Sequence, residues 1–397
     1  MKMIKQAMIV FATMAFMSAA YPANAPDSAQ APQKLLKSTA DHSKFKELQK
    51  EFTSGPEVTK ACLSCHTEAA KQVHLTQHWK WEFRNPDSQQ LLGKKHVVNN
   101  FCTSVTSNYK ACASCHIGYN TDGPNFDMTS ESNVDCLVCH DQTGKYKKPS
   151  GFAGNPVTKD TEFPPGSGKI IRAVNLSDVA QKVGQTKRTT CGACHFYGGG
   201  GDGVKHGDLD SSLEAPDKAL DVHMDAKGLN FSCSTCHKTD GHQVPGSRYA
   251  PTAQDKDGAH MRGKADHSNP ATCQSCHGQV PHKKEAKLND HTDKVACQTC
   301  HIPSFARGDV PTKMSWDWST AGKRDEKGKP LVVKNEDGHD IYLGIKGDFV
   351  YGENVKPEYI WFNGKNKYTL SDDKIEKANQ PIWINKFEGS ADDGKSM

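Results

Sequence analysis

The sequence predicts a mainly helical chain with little regular secondary structure, wrapped around apolar bodies that are not side chains and closed at its C-terminal end by short β-hairpins. Three observations predict it. The pattern Cys-x-x-Cys-His occurs seven times at uneven intervals, only 35% of the 397 residues are hydrophobic, and the composition changes after residue 301.

The motif copies are Cys62, Cys65 and His66; Cys112, Cys115 and His116; Cys136, Cys139 and His140; Cys191, Cys194 and His195; Cys233, Cys236 and His237; Cys273, Cys276 and His277; and Cys297, Cys300 and His301. Each supplies two thiols that can add across the vinyl groups of one haem and a histidine that can bind its iron. A zinc ribbon needs no histidine at the fifth position, and a disulfide framework does not repeat one local spacing between long cysteine-free gaps. The motifs use fourteen of the fifteen cysteines and leave Cys102. The expected cofactor is therefore covalent haem c, in seven copies.

In chain order, residues 1–25 carry Lys2 and Lys5, an apolar run from Ala7 to Ala20, and the small residues Ala23-Asn24-Ala25. That is the order of a secretory signal, and the apolar run is short for a transmembrane helix. Export to the periplasm of a Gram-negative bacterium is expected, without stable membrane insertion.

Residues 26–301 form the expected multihaem cytochrome c region. Motif starts are separated by 50, 24, 55, 42, 40 and 24 residues, which excludes a fixed structural repeat. With so few apolar side chains, the porphyrins must supply much of the core. A short helix is expected near most motifs, so that both cysteines and the histidine share one turn. Residues Thr67 to Trp81 have the best helical composition and put His74 and His78 on one face. The glycines from Gly198 to Gly201 lack the Gly-Lys-Ser/Thr ending of a phosphate loop and read as backbone passing close to a haem.

Residues 302–397 contain no cysteine, one histidine at His339, and four of the six tryptophans. Alternation in Asp340-Ile341-Tyr342-Leu343 and Asp348-Phe349-Val350-Tyr351 predicts hairpins in a segment that covers one side of the haem region.

The formal charge of +4 omits the haems. Two propionates and one ferric centre per haem, with the signal removed, bring the oxidised holoprotein to roughly −5. Nucleic-acid binding gets no support; Lys and Arg residues are expected beside propionates and acidic neighbours.

The second axial position decides what each haem does: a second histidine closes the iron for electron transfer, and an exchangeable position admits substrate. Twelve histidines lie outside the motifs, more than seven irons need. The preferred distal set is His42, His78, His206, His223, His242, His282 and His291, with His74, His260 and His267 in reserve. His242 and His282 follow motifs closely, a placement that lets one loop feed a neighbouring haem.

The strings Gly93 to Cys102, Asp135 to Asp141 with Tyr146-Lys147-Lys148, Phe196 to Leu209, His291 to Arg307, Trp316 to Lys323 and Pro357 to Gly364 resemble the octahaem tetrathionate reductase family of multihaem c-type cytochromes. The resemblance runs over nearly the whole chain after residue 25. It implies bis-histidine haems around one active-site haem with a distal lysine, electrons from a redox partner protein, and a small inorganic oxyanion as substrate. Tetrathionate, nitrite and hydroxylamine are the expected substrates. In this chain the catalytic lysine would be Lys147 or Lys148, and Cys102 would sit near the reactive haem of Cys112, Cys115 and His116. Taken alone, the two lysines read as an exposed basic turn. Seven motifs where the family name implies eight mean either a lost haem or an eighth held without two thioethers. Two other functions stay open: a non-catalytic electron carrier with every haem bis-histidine, and a docking subunit of a larger respiratory complex.

Overall fold

The computed structural model describes residues 40–86, 88–98, 105, 107–197, 202–203, 209–247, 249, 273–278, 280–292, 294–363, 365–375, 385–387 and 395–396. The signal segment 1–25, Cys102, the glycine run 198–201 and the histidines His206, His260 and His267 lie outside them.

Helices are short and each motif lies in or against one. Helix α1 (Gly55–Leu63) begins with Pro56 in its first turn and runs into the first motif, burying Val58 and Thr59. The single helix expected over residues 67–81 is broken into α2 (Ala69–His74) and α3 (Gln77–Lys80). Thr76 causes the break: its backbone is extended, its hydroxyl accepts from the Trp79 N–H at 3.2 Å and donates to the Val73 carbonyl at 2.7 Å. One hydroxyl thus satisfies both helix ends, which a continuous helix would not need. Next come α4 (Tyr109–Cys112), α5 (Leu137–His140), α6 (Leu176–Gln181), α7 (Arg188–His195) and α8 (Cys233–Cys236). Helical turns at Cys273–His277, Ala286–Asp290 and Cys297–His301 complete the helical part. None is long enough to be stable in isolation, so packing must hold them.

That packing is uneven. One apolar cluster joins Leu48, Phe52 and Val58 to Leu137, Val138, Tyr146, Val174, Leu176, Val179 and Ala180; a second joins Ala70, Val73, Trp79 and Val134. Each fully buried Val or Leu here contributes about 1.5–3 kcal/mol. Between Phe196 and Tyr342 the only buried apolar side chains among the described residues are Pro216 and Pro245. Three motifs fall in that stretch, and its described residues give them no apolar cluster.

Beyond the two-residue strand pairs β1 (Phe83–Arg84) with β2 (Leu91–Leu92) and β3 (Thr161–Glu162) with β4 (Ile170–Ile171), the C-terminal part holds β5 (Thr312–Asp317), β6 (Val332–Lys334), β7 (Asp340–Leu343) and β8 (Gly347–Gly352). These four make one antiparallel sheet in the order β5-β8-β7-β6. The β7–β8 hairpin falls on the two alternating segments, with Tyr342 opposite Asp348 and Leu343 opposite Gly347. The sheet is larger than separate hairpins because β5 returns to pair with β8. Thr320 fastens that return, accepting from the Asp348 N–H and donating to the Asp317 carbonyl, each at 2.9 Å. Gly347 is needed there: its φ is +89°, and a Cβ would fall 1.8 Å from the Asp317 carbonyl oxygen.

Candidate functional site

Five motif histidines face a second histidine. Ring centroids are 6.4 Å apart for His66 and His42, 6.2 Å for His195 and His78, and 6.4 Å for His140 and His242. They are 6.1 Å apart for His277 and His223, and 5.9 Å for His301 and His282. An imidazole nitrogen binds a metal at about 2 Å, so two rings opposed across one ion have centroids roughly 6 Å apart. Edge contacts between aromatic rings cover the same range. Ordinary ring contacts, however, give no reason for each pair to join one motif histidine with one non-motif histidine, no residue being shared.

The orientation of the rings supports a ligand role. The Nδ1 of His140 is 2.8 Å from the Gly184 carbonyl oxygen, that of His237 3.0 Å from the Pro245 carbonyl oxygen, that of His242 2.8 Å from Gln72 Oε1, and that of His282 3.2 Å from Asn289 Oδ1. An Nδ1–H donated to such an acceptor fixes the tautomer and leaves Nε2 free for a metal. His78 is exposed, yet surrounding protein pushes its pKa down to about 4, with His195 adding to the effect.

Motifs also meet one another. The Cys62 thiol lies against that of Cys136, Cys115 against Cys194, and Cys191 against Cys233, with no disulfide among the described cysteines. The Cys194 contact pulls Cys115 down to about 6, and burial lifts Cys139 to about 11. The Arg188 guanidinium of α7 donates to the carbonyls of Glu214, Met224 and Phe231, which ties the segment carrying His223 to the fourth motif.

The second motif differs. His116 is 2% exposed, and burial above all drives its pKa down to about 4. Its Nε2 is 2.7 Å from the Trp79 carbonyl oxygen and its Nδ1 is 3.0 Å from Thr121 Oγ1, while Trp79, Trp81 and Phe126 surround the ring. Of the two candidate lysines, Lys147 is exposed and the Lys148 side chain is 2% exposed. Lys148 Nζ lies 3.0 Å from Asp135 Oδ2, donates to the His116 carbonyl and reaches the Gly118 carbonyl at 3.5 Å. Asp135, with a fully buried carboxylate, also accepts from Tyr119 OH at 2.8 Å, Tyr146 OH at 3.0 Å and the Val138 N–H at 3.1 Å. The exposed basic turn therefore describes Lys147 and not Lys148.

The other predicted residues are placed as follows. Exposed His291 follows the Ala286–Asp290 helix and meets no motif histidine among the described residues. His74 stacks on Trp79 at 4.6 Å with a buried Nε2 that has no hydrogen-bond partner. His96 bonds Glu82, and His339 stacks on Tyr351. Sequence reasoning missed Asp135, Tyr119, Tyr146, Gln72 and Asn289. The only local signal was the position of Asp135 directly before Cys136.

The family described as cytochrome c554 and c-prime matches residues 61–141, and the one described as cytochrome c bacterial matches residues 313–397. An uncharacterized protein of Archaeoglobus fulgidus is 24% identical over 266 residues, 56% of this chain and 86% of its own. The crystal structure of octahaem cytochrome c from Shewanella oneidensis is similar with a TM-score of 0.72, at 40% identity over 90% of this chain and 73% of that one.

The chain belongs to the octahaem cytochrome c family.

As a multihaem c-type cytochrome it carries haem c, and the described residues test where that group fits. It fits the five motifs whose histidines face a partner across a metal-sized gap. At the fifth motif the Nδ1 anchor of His237 leaves Nε2 free, and no described histidine lies opposite. At the second motif the arrangement does not fit, because a carbonyl oxygen stands where His116 would meet iron. Among the described residues no helix is long and apolar enough to cross a membrane.

Proposed function

We propose that the protein is a periplasmic reductase in which seven covalent haems, most of them closed by two histidines, deliver electrons to one reactive centre at the second motif. The single observation carrying the electron-transfer part is the set of five motif histidines, each facing its own second histidine at 5.9–6.4 Å. His42, His78, His242, His223 and His282 are then the distal ligands for the first, fourth, third, sixth and seventh motifs. Haem c supplies one-electron chemistry at iron and, where a coordination position is exchangeable, a place for substrate.

The chain's own residues hold and space these groups. Gln72 and Asn289 fix two distal rings by taking the Nδ1 protons. The three thiol contacts bring the first motif to the third, and the fourth to both the second and the fifth. Short steps between attachment sites suit electron passage along the chain.

What favours the second motif as the reactive centre is a buried lysine beside it and no described histidine opposite His116, although the Trp79 carbonyl on His116 Nε2 would have to move before iron could bind there. A signal peptide at residues 1–25 and an external redox partner belong to the same reading. The three-acceptor setting of Lys148 favours the second reading, a carrier in which no centre takes substrate. Steady-state oxidation of the dye-reduced holoprotein by tetrathionate, nitrite and hydroxylamine separates the two. Turnover that collapses in Lys148→Met and survives in Lys147→Met is expected. Absence of turnover with all three leaves the carrier.

A further inference from the structure

Two opposite charges are buried between the motifs: Lys148 Nζ lies 3.0 Å from Asp135 Oδ2, with the two side chains 2% and 0% exposed. The carboxylate belongs to the third motif. Asp135 directly precedes Cys136 and accepts from the Val138 N–H at 3.1 Å, inside the Cys-x-x-Cys turn. The Tyr119 and Tyr146 hydroxyls hold it there from 2.8 and 3.0 Å. Burial above all pushes both tyrosines well up, Asp135 adding to it, so they stay donors. The ammonium is fixed separately, by the carbonyl oxygens of His116 and Gly118. A buried ion pair is weak evidence for stability, because apolar side chains of the same volume hold a fold as well. Its place among the attachment sites needs another reason.

The surrounding thiols show which motif each charge reaches. Burial lifts Cys139 of the third motif to about 11; Asp135 pushes it further up and Lys148 pulls it back. Cys194 of the fourth motif, raised mainly by its contact with Cys115, is pulled down by Lys148. Cys139 and Cys194 pack against the same apolar cluster, so the two motifs are neighbours. A carboxylate beside a haem favours the ferric state, and an ammonium favours the ferrous state. We propose that the Asp135–Lys148 pair is a fixed dipole that holds the third-motif haem at a lower reduction potential than the fourth-motif haem and so directs electrons from the third to the fourth. The step balances: one electron leaves ferrous iron at the third motif and reduces ferric iron at the fourth, with no proton or ligand exchanged. The inference rests on the bis-histidine reading of these two motifs, His140 with His242 and His195 with His78. It asks nothing of the iron at the second motif.

The test is a redox titration of the holoprotein followed by electron paramagnetic resonance. The third- and fourth-motif centres are identified by the low-spin signals lost in His242→Ala and His78→Ala. Asp135→Asn should raise the third-motif potential by about 59 mV, a tenfold shift in the ratio of ferrous to ferric iron. Lys148→Leu should lower the fourth-motif potential by a similar amount. Each variant therefore narrows the gap between the two centres, from opposite ends. A lesion that merely loosened the fold would move both variants in the same direction. The double variant Asp135→Asn/Lys148→Leu leaves neither charge buried alone, so it decides where a single variant fails to mature, and there too the gap should narrow. Same-direction shifts in the two single variants, or an unchanged gap in the double variant, overturn the dipole and leave the histidine ligands standing. If either histidine variant keeps every low-spin signal, the ligand reading of that motif fails and the dipole goes with it.

Discussion

Asn289 shows how one side chain fixes a histidine. It takes the His282 N–H at 2.9 Å, lies 3.2 Å from the ring Nδ1 and donates to the His282 carbonyl at 3.0 Å. An acceptor on Nδ1–H makes the imidazole a stronger donor to ferric iron, so Asn289→Ala should raise the reduction potential of one centre. If the ferric preference falls tenfold, the rise is about 59 mV for one electron. Potentiometry of the variant checks this, and unchanged potentials would remove Asn289 from the site. The motif residues were legible in the sequence because attachment chemistry demands a local string. Five of the seven preferred distal histidines have a ring facing a motif histidine, but which one was not legible: His242 follows the fifth motif and faces the third. Asp135 was invisible as a cradle because Tyr119 and Tyr146 reach it only after the chain folds.

Among the elements, α3 carries two neighbouring functions on four residues. His78 faces His195, and the carbonyl of Trp79 closes on His116. Thr76→Val removes its cap and should cost about 1 kcal/mol. The accompanying expectation is a change in the His78 centre's spectrum beyond what the lower thermal midpoint explains. An unaltered spectrum would mean that packing of Trp79 alone holds α3. Arg188 plays the larger part on α7, since it holds three carbonyls of the segment that carries His223. Arg188→Gln should destabilise the fold by about 3 kcal/mol through those lost partners. It should also loosen the His277 centre, measured as a fraction of one haem converting to high spin. The break at Thr76 could not be read from composition, because Thr67 to Trp81 has good helix formers and the decision belongs to one hydroxyl. The β7–β8 hairpin was readable, since alternation alone defines it; the return of β5 was not.

At the scale of the molecule, the apolar side chains gather in two clusters and in the C-terminal sheet, and the described residues between Phe196 and Thr312, where that sheet begins, depend on what the motifs bind. Protein produced without the haem-attachment machinery should therefore lose its fold first in that stretch, read as early protease cleavage between residues 197 and 311. Cleavage spread evenly along the chain would contradict it. The central claim is that five haems sit between the paired histidines. The ring planes make it specific: they are near parallel for His42 with His66 at 16° and His282 with His301 at 12°, and steep for the other three at 79°, 76° and 69°. Parallel and crossed imidazole planes give different low-spin ferric signals. The most direct measurement is spin-quantified electron paramagnetic resonance of the fully oxidised holoprotein, with its haem number fixed by mass. Seven haems are expected, with at least five low-spin bis-histidine centres that divide into two near-parallel and three crossed. Fewer than five low-spin centres, or a single signal class among them, would contradict the account.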